Sequence, residues 1–253
     1  MLQRKLRLPI AIMVAVGVIT YSALKEKNNP TLIVQEDHPI ILSYEINLKQ
    51  QNLQFYSKDE NEKPFENHAA LKFSLEQKNK QLIFAMNGGM YKKDLSPQGL
   101  YIENGVIKAM LDTLQEGYGN FYLQPNGVFY ISKDNKGFIA RTTDFTNSES
   151  IKYATQSGPM LVIEGRIHPK FNQDSENLHI RNGVGILPNG NLLFAMSKEK
   201  VNFYHFARFF QEQGCQNALY LDGFVSRTYL PSKDWVQEDG RYGIIIAEIN
   251  RDH

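Results

Sequence analysis

The sequence contains one cysteine, Cys215, so no internal disulfide can form. No reactive-thiol signature surrounds it, and between Gly214 and a strand-like run it reads as a small buried hydrophobe. Beyond residue 28 there is no clustered Lys/Arg stripe and no basic helix, which removes the usual electrostatic footprint of nucleic-acid binding. His168, His179 and His205 do not share metal-ligand spacing and no Asp or Glu completes a cluster, so no zinc is expected. A Ca²⁺ or Mg²⁺ held by loop oxygens stays open, because such sites need not leave a compact pattern. No internal repeat is visible. With 42% apolar and 22% charged residues, the composition lacks the bias of a disordered or fibrous chain, and 253 residues suffice for a sizeable core.

What is present begins with a basic-apolar leader. Arg4, Lys5 and Arg7 precede a run from Leu8 to Leu24 that carries no charge, the pattern of a secretory signal. At about 17 residues the run also meets the lower limit for a membrane-spanning helix, so a cleaved signal and an uncleaved anchor both stay open. The positive flank comes first, which would leave an uncleaved N-terminus in the cytoplasm and the rest outside. The expected organisation is a leader or anchor over residues 1–27, a polar tether over 28–40 and one domain over 41–253, on the periplasmic or extracytoplasmic side. Arg4, Lys5, Arg7, Lys25 and Lys27 against Glu26 carry +4, so the formal +1 of the whole chain becomes −3 without them.

Within the domain, Asn67 is a candidate N-cap for a helix over His68 to Lys78. Paired turn residues then divide apolar alternating runs at Asn104-Gly105, Asn126-Gly127, Glu164-Gly165 and Asn189-Gly190, each expected to be a hairpin turn because both residue types tolerate positive φ. Phe203, Phe206, Ala207 and Phe210 recur at helical spacing before Gly214, predicting an amphipathic helix with a glycine stop. Strands are expected at Ala218 to Leu221 and Gly243 to Ile249. Antiparallel hairpins with a few packing helices imply an α+β fold rather than a doubly wound parallel sheet.

Four segments set glycine beside polar residues at the ends of apolar runs, where a scaffold can hold side chains and backbone amides against a ligand. They are Ile83-Phe-Ala-Met-Asn-Gly-Gly-Met-Tyr91, Ala154-Thr-Gln-Ser-Gly-Pro-Met-Leu-Val162, Ile180-Arg-Asn-Gly-Val-Gly185 and Leu219-Tyr-Leu-Asp-Gly-Phe-Val-Ser-Arg227. Each alone has a bland reading as a turn or a surface charge. In order and spacing together, over roughly Gln81 to Ile249, they resemble the phosphodiester glycosidase family. The family's last segment usually runs Leu-Asp-Gly-Gly-Gly-Ser, whereas Phe224 and Val225 stand here where glycines are usual.

The resemblance implies hydrolysis of a sugar from a phosphodiester or a related envelope glycan linkage. Such a site needs a cation for the phosphate and a carboxylate facing the positive charge that develops on the sugar ring. Arg181 and Asp222 suit these tasks, with Asn87 as a third central residue. Gly88, Gly89, Ser157, Gly158, Asn182, Gly223 and Ser226 would line the substrate, and Asp94 and Asp112 are lesser acid candidates. The rival readings are a non-catalytic module that holds an envelope glycan in the same pocket, and an anchored scaffold for other envelope proteins. The partners expected are a sugar-phosphate or envelope glycan and, through an uncleaved leader, the membrane, with no nucleic acid.

Overall fold

The structure, a computed structural model, describes residues 38–221 and 225–250. The leader, nearly all of the tether, and Asp222, Gly223 and Phe224 lie outside the described residues. The described residues all belong to one compact unit, Asp37–His253.

In chain order the elements begin with β1 (Ile41–Ile46), β2 (Asn52–Tyr56), α1 (His68–Glu76), β3 (Leu82–Asn87), β4 (Tyr101–Glu103) and β5 (Val106–Ala109). The middle of the chain supplies β6 (Gly127–Ser132), β7 (Gly137–Arg141), β8 (Ile151–Ser157), β9 (Met160–Ile163), β10 (Arg166–Ile167) and β11 (Asn182–Ile186). Then come β12 (Leu192–Ser197), α2 (Phe203–Glu212), β13 (Ala218–Tyr220), β14 (Thr228–Leu230), β15 (Trp235–Val236) and β16 (Ile245–Ile249). They form three sheets, ordered β1-β12-β11-β13-β9-β10, β15-β14-β3-β16-β2 and β5-β4-β8-β6-β7. Strand pairing among the described residues is antiparallel throughout. The fold is thus α+β and strand-rich, as the hairpin pattern implied.

All three sheets contribute to one core. Phe194 of β12 meets Phe84 of β3 at 5.3 Å and Phe129 of β6 at 6.0 Å between ring centroids, so one ring bridges three sheets. All three rings are fully buried, and burying a side chain of this size stabilises by roughly 1.5–3 kcal/mol. The helices cover outer faces. In α1, Leu71 and Leu75 pack with Ala85 of β3 and with Ile245 and Ala247 of β16. In α2, Phe206 and Phe210 pack with Leu161 and Val162 of β9 and Ala195 of β12. Both helices start on an asparagine cap: Asn67 Oδ1 accepts from Ala70 N at 2.9 Å, and Asn202 Oδ1 from His205 N at 2.9 Å. Gly214, at φ +79°, ends α2 where the sequence put its stop. Cys215 is buried beneath that helix, and burial pushes its thiol up to about 12, as expected of an inert thiol.

Asn104-Gly105 and Glu164-Gly165 are hairpin turns with both residues at positive φ, and Gly190 at φ +84° lies in the turn between β11 and β12. Asn126-Gly127 corrects the expectation. Gly127 is the first residue of β6, and a Cβ there would come within 2.7 Å of the Ala140 carbonyl oxygen. Its glycine serves close strand approach, while Asn126 is buried and donates to Phe121 O at 2.9 Å. The turn from β6 to β7 lies further on, over residues 133–136, with Asn135 at φ +57° and no glycine to signal it.

Candidate functional site

Three of the four glycine-bearing segments meet at the end of β3. Asn87, its last residue, is fully buried, and its Oδ1 accepts from Asn182 Nδ2 at 2.8 Å and from Arg227 N at 2.7 Å. Asn182 Nδ2 also donates to Asn87 O at 3.0 Å. Leu221, the residue before Asp222, joins both sides: its N–H donates to Asn182 O at 3.1 Å and its carbonyl accepts from Gly89 N at 2.9 Å. Ser226 Oγ donates to Ile180 O at 3.2 Å. The side-chain amides do here what a strand ladder does elsewhere, locking three chain segments where regular pairing ends.

The two glycines of the first segment are required by this crowding. A Cβ at Gly88 would lie 2.3 Å from Ile246 Cγ1, and Gly89 combines φ +107° with a Cβ position 2.2 Å from Thr155 Oγ1. The second segment joins from its own side. Thr155 Oγ1 donates to Gly88 O at 3.3 Å, and Pro159 O accepts from Tyr220 N at 3.1 Å. Ser157 and Gly158 sit at the end of β8, with Gly158 packed against Asn126 and the Phe121 carbonyl. Asn87 Nδ2, Asn182 Oδ1 and Ser157 Oγ are buried with no hydrogen-bond partner among the described residues. Polar atoms left so are uncommon in a folded core and mark a place where water or ligand is expected.

Arg181 is fully buried beside this junction. Its Nε donates to Val201 O at 2.9 Å, and its Nη2 donates to Asn177 O at 2.8 Å and to Asn177 Oδ1 at 3.0 Å. The guanidinium lies 3.6 Å from the Phe203 ring centroid and 5.6 Å from that of Tyr220. Phe203, at the start of α2, packs on the core cluster beneath that helix and also supplies the stacking face. A paired fork from Nε and Nη2 to a phosphate would have to break the Val201 and Asn177 contacts, so in this arrangement those donors hold the loop before β11.

Asp222 and Gly223 lie outside the described residues. Val225 packs half-buried against the cluster that contains Tyr229 and Tyr242. Asp94 is an exposed loop carboxylate whose Oδ1 accepts from Ser96 Oγ at 2.6 Å and Ser96 N at 3.1 Å, bonds that hold it below the usual carboxylate range. Asp112 is tied to β8, where Gln156, one residue before Ser157, binds both its N–H and its carbonyl. It lines an open groove of about 560 Å³ together with Lys92, Gln98 and Tyr122, and its Oδ2 accepts from Tyr122 Oη at 2.8 Å. Among the described residues no group of three or more His, Cys, Asp or Glu side chains is arranged to hold a metal.

Sequence reasoning missed a support behind the site. Arg227 donates to Asp239 through Nε at 2.8 Å and Nη2 at 2.9 Å, tying the strand end that contacts Asn87 to the 237–242 loop. Beneath that loop lies His68, fully buried, its Nδ1 donating to Gln237 O at 2.9 Å and its backbone N–H to Tyr242 Oη at 3.0 Å. Burial lowers the imidazole to about 4, against smaller raising effects from the Gln237 bond, Asp239 and Glu238 and a lowering one from Arg227. An unfolded histidine titrates near 6.5, so the unfolded chain takes up this proton first. Stability from this group is therefore complete above about pH 6.5, falls as the pH drops towards 4 and levels off below, a loss of about 3 kcal/mol at pH 4. Denaturant unfolding at stepped pH should show that slope, and His68→Asn should flatten it; an unchanged slope in the variant would refute the assignment.

Comparison with known proteins fits this geometry. A family model described as phosphodiester glycosidase matches residues 80–243, which include all four segments. The Escherichia coli (strain K12) protein named "Uncharacterized protein YigE" is 38% identical over 204 residues, which is 80% of this chain and 76% of that protein. Among solved structures, the catalytic domain of zebrafish N-acetylglucosamine-1-phosphodiester alpha-N-acetylglucosaminidase, auto-inhibited by its pro-peptide, aligns with a TM-score of 0.55 at 16% identity, covering 85% of each chain. A Burkholderia pseudomallei protein aligns with a TM-score of 0.56 at 9% identity over 82% of this chain and 73% of its own. At such identities the structural likenesses speak for the fold.

Proposed function

The chain belongs to the phosphodiester glycosidase family, and from that premise we propose that it is a hydrolase that removes a sugar from a glycosyl phosphodiester of the cell envelope. The observation that carries the reading is the junction of Asn87, Asn182, Leu221 and Arg227, where buried amide groups with spare hydrogen-bonding capacity flank the residue that precedes Asp222. Water would supply its oxygen to the anomeric carbon as the bond from that carbon to the phosphate oxygen breaks. The phosphate leaves as a monoester anion, which is already stable, so a second carboxylate acting as general acid is less needed than in ordinary glycoside hydrolysis. Asp222 would accept the proton of the attacking water or face the positive charge on the ring, and Asn87, Ser157 and Asn182 would orient hydroxyls or phosphate oxygens.

The test is to incubate the purified full-length chain with a panel of glycosyl phosphodiesters and with matched glycosides that lack the phosphate. Release of sugar from the diesters alone is expected; cleavage of neither set, with binding retained, would favour the glycan-holding module instead. That module would be favoured if Phe224 and Val225, which stand where the family usually has glycines, narrowed the cleft; Val225 packs half-buried against the cluster that contains Tyr229 and Tyr242. The basic-apolar leader further supports placing the domain outside the cytoplasm, which protease accessibility in spheroplasts would check. Among the described residues no helix is long and apolar enough to cross a membrane.

A further inference from the structure

The groove that backs onto Gln156 of β8 has two kinds of wall. Its floor is polar, with Gln98, Asp112 and Tyr122, and Gly99 lies so close to Gln156 that a Cβ would come within 2.3 Å of Oε1. The floor thus backs directly onto β8 one residue before Ser157. Its outer lip is apolar. Met110 and Leu114 line it at 75% and 63% exposure, and the same stretch of chain exposes Val106 and Ile107 of β5 and, at 100%, Tyr118. The lip is held in place: Asp112 Oδ1 accepts from Leu114 N at 2.9 Å, and Gly117 lies against the Tyr122 ring, where a Cβ would come within 2.3 Å.

Single exposed apolar residues need no explanation, but five large ones within thirteen positions do, and two of them, Met110 and Leu114, line the groove. A purely hydrophilic glycan would use the floor and leave the lip unexplained. Lys92 and Asp112 both line the groove, so its formal charges cancel and do not by themselves call for a second phosphate there. We infer that the groove receives the aliphatic chain of a lipid-linked glycosyl phosphodiester, with the sugar and phosphate at the Asn87 junction and the chain running out over Met110 and Leu114. The uncharged run from Leu8 to Leu24 behind three cations suits the same occupant, since a chain tied to a bilayer meets substrates that are embedded in it. This inference rests on the proposed hydrolase reading and adds to it the class of leaving group.

The test uses the full-length chain in detergent and a pair of glycosyl phosphodiesters that differ only in a methyl or a dodecyl ester. The dodecyl diester is expected to show a KM at least tenfold lower, and Met110→Ser/Leu114→Ser should abolish that preference while leaving kcat on the methyl diester unchanged. Equal KM values for the two diesters, or a preference that survives in the double variant, would overturn the inference while leaving the hydrolase standing. If neither diester is cleaved, the hydrolase reading falls and binding decides the groove alone: dodecyl phosphate should bind at least tenfold more tightly than methyl phosphate in the wild type and not in the variant, and equal binding would sink it. A double variant that loses affinity for plain phosphatidylcholine vesicles but keeps the chain-length preference would show that the lip meets bulk membrane instead.

Discussion

Asp222→Asn is expected to lower kcat on the best glycosyl phosphodiester by at least a hundredfold while the melting temperature stays within about 2 °C of wild type. The amide keeps the shape of the side chain and loses its charge, which is what a developing oxocarbenium ion or an attacking water requires. Fold and site are separable here because Leu221, the preceding residue, is anchored through its backbone N–H to Asn182 and through its carbonyl to Gly89. Those bonds are made by main-chain atoms and are independent of the side chain at position 222. Steady-state kinetics and a thermal melt on the same preparation check both halves. A variant that unfolds would make the carboxylate a structural turn residue, and full turnover in a stable variant would remove it from the chemistry.

Arg181→Lys should act in the opposite way, through stability first. Lysine can replace the charge but cannot satisfy Val201 O, Asn177 O and Asn177 Oδ1 at once, nor present a planar face to Phe203. Hydrogen bonds from a charged group are worth roughly 1.5–3 kcal/mol each, and buried acceptors left without one cost more than the bond itself contributed. A loss of about 3 kcal/mol is expected, which for a domain of this size lowers the melting temperature by about 6–12 °C. Turnover of the folded fraction, measured well below that temperature, then separates two roles. A fall in kcat alongside the lost stability would mean that the arginine also reaches substrate, whereas unchanged turnover would confine it to positioning the loop before β11.

How much of this was legible in the sequence depended on whether a signal was local. Asn67 and Asn202 cap helices with bonds spanning three residues, and Asn104-Gly105 and Glu164-Gly165 turn within two, so both kinds of feature could be read directly or nearly so. Asn126-Gly127 misled because the same dipeptide suits a turn and a close strand crossing, and only the Ala140 carbonyl across the sheet decides between them. The meeting of Asn87 with Asn182 was legible as a recurrence of polar residues at strand ends, although not its geometry. Arg181 was read as a phosphate clamp because a planar guanidinium can contact two phosphate oxygens at once. What commits its Nε and Nη2 is a carbonyl 20 residues away and an asparagine four residues back, neither of which has a pattern of its own. The Arg227–Asp239 pair and the burial of His68 lie across loops with no periodicity at all.

The place of β16 in its sheet, between β3 and β2, has a consequence for how the protein comes into being. β2 and β3, both formed before residue 90, wait for β16 to fill the gap between them, and Ile245 of that strand stands opposite Asn87. A chain still emerging from the ribosome therefore cannot complete the junction around Asn87 from β2 and β3 alone: the sheet closes there only when residues 245–249 have arrived. A frameshift or a cut that removes Ile245–Ile249 would leave β2 and β3 without the strand that joins them, so such damage would unmake the sheet behind Asn87 rather than trim its edge.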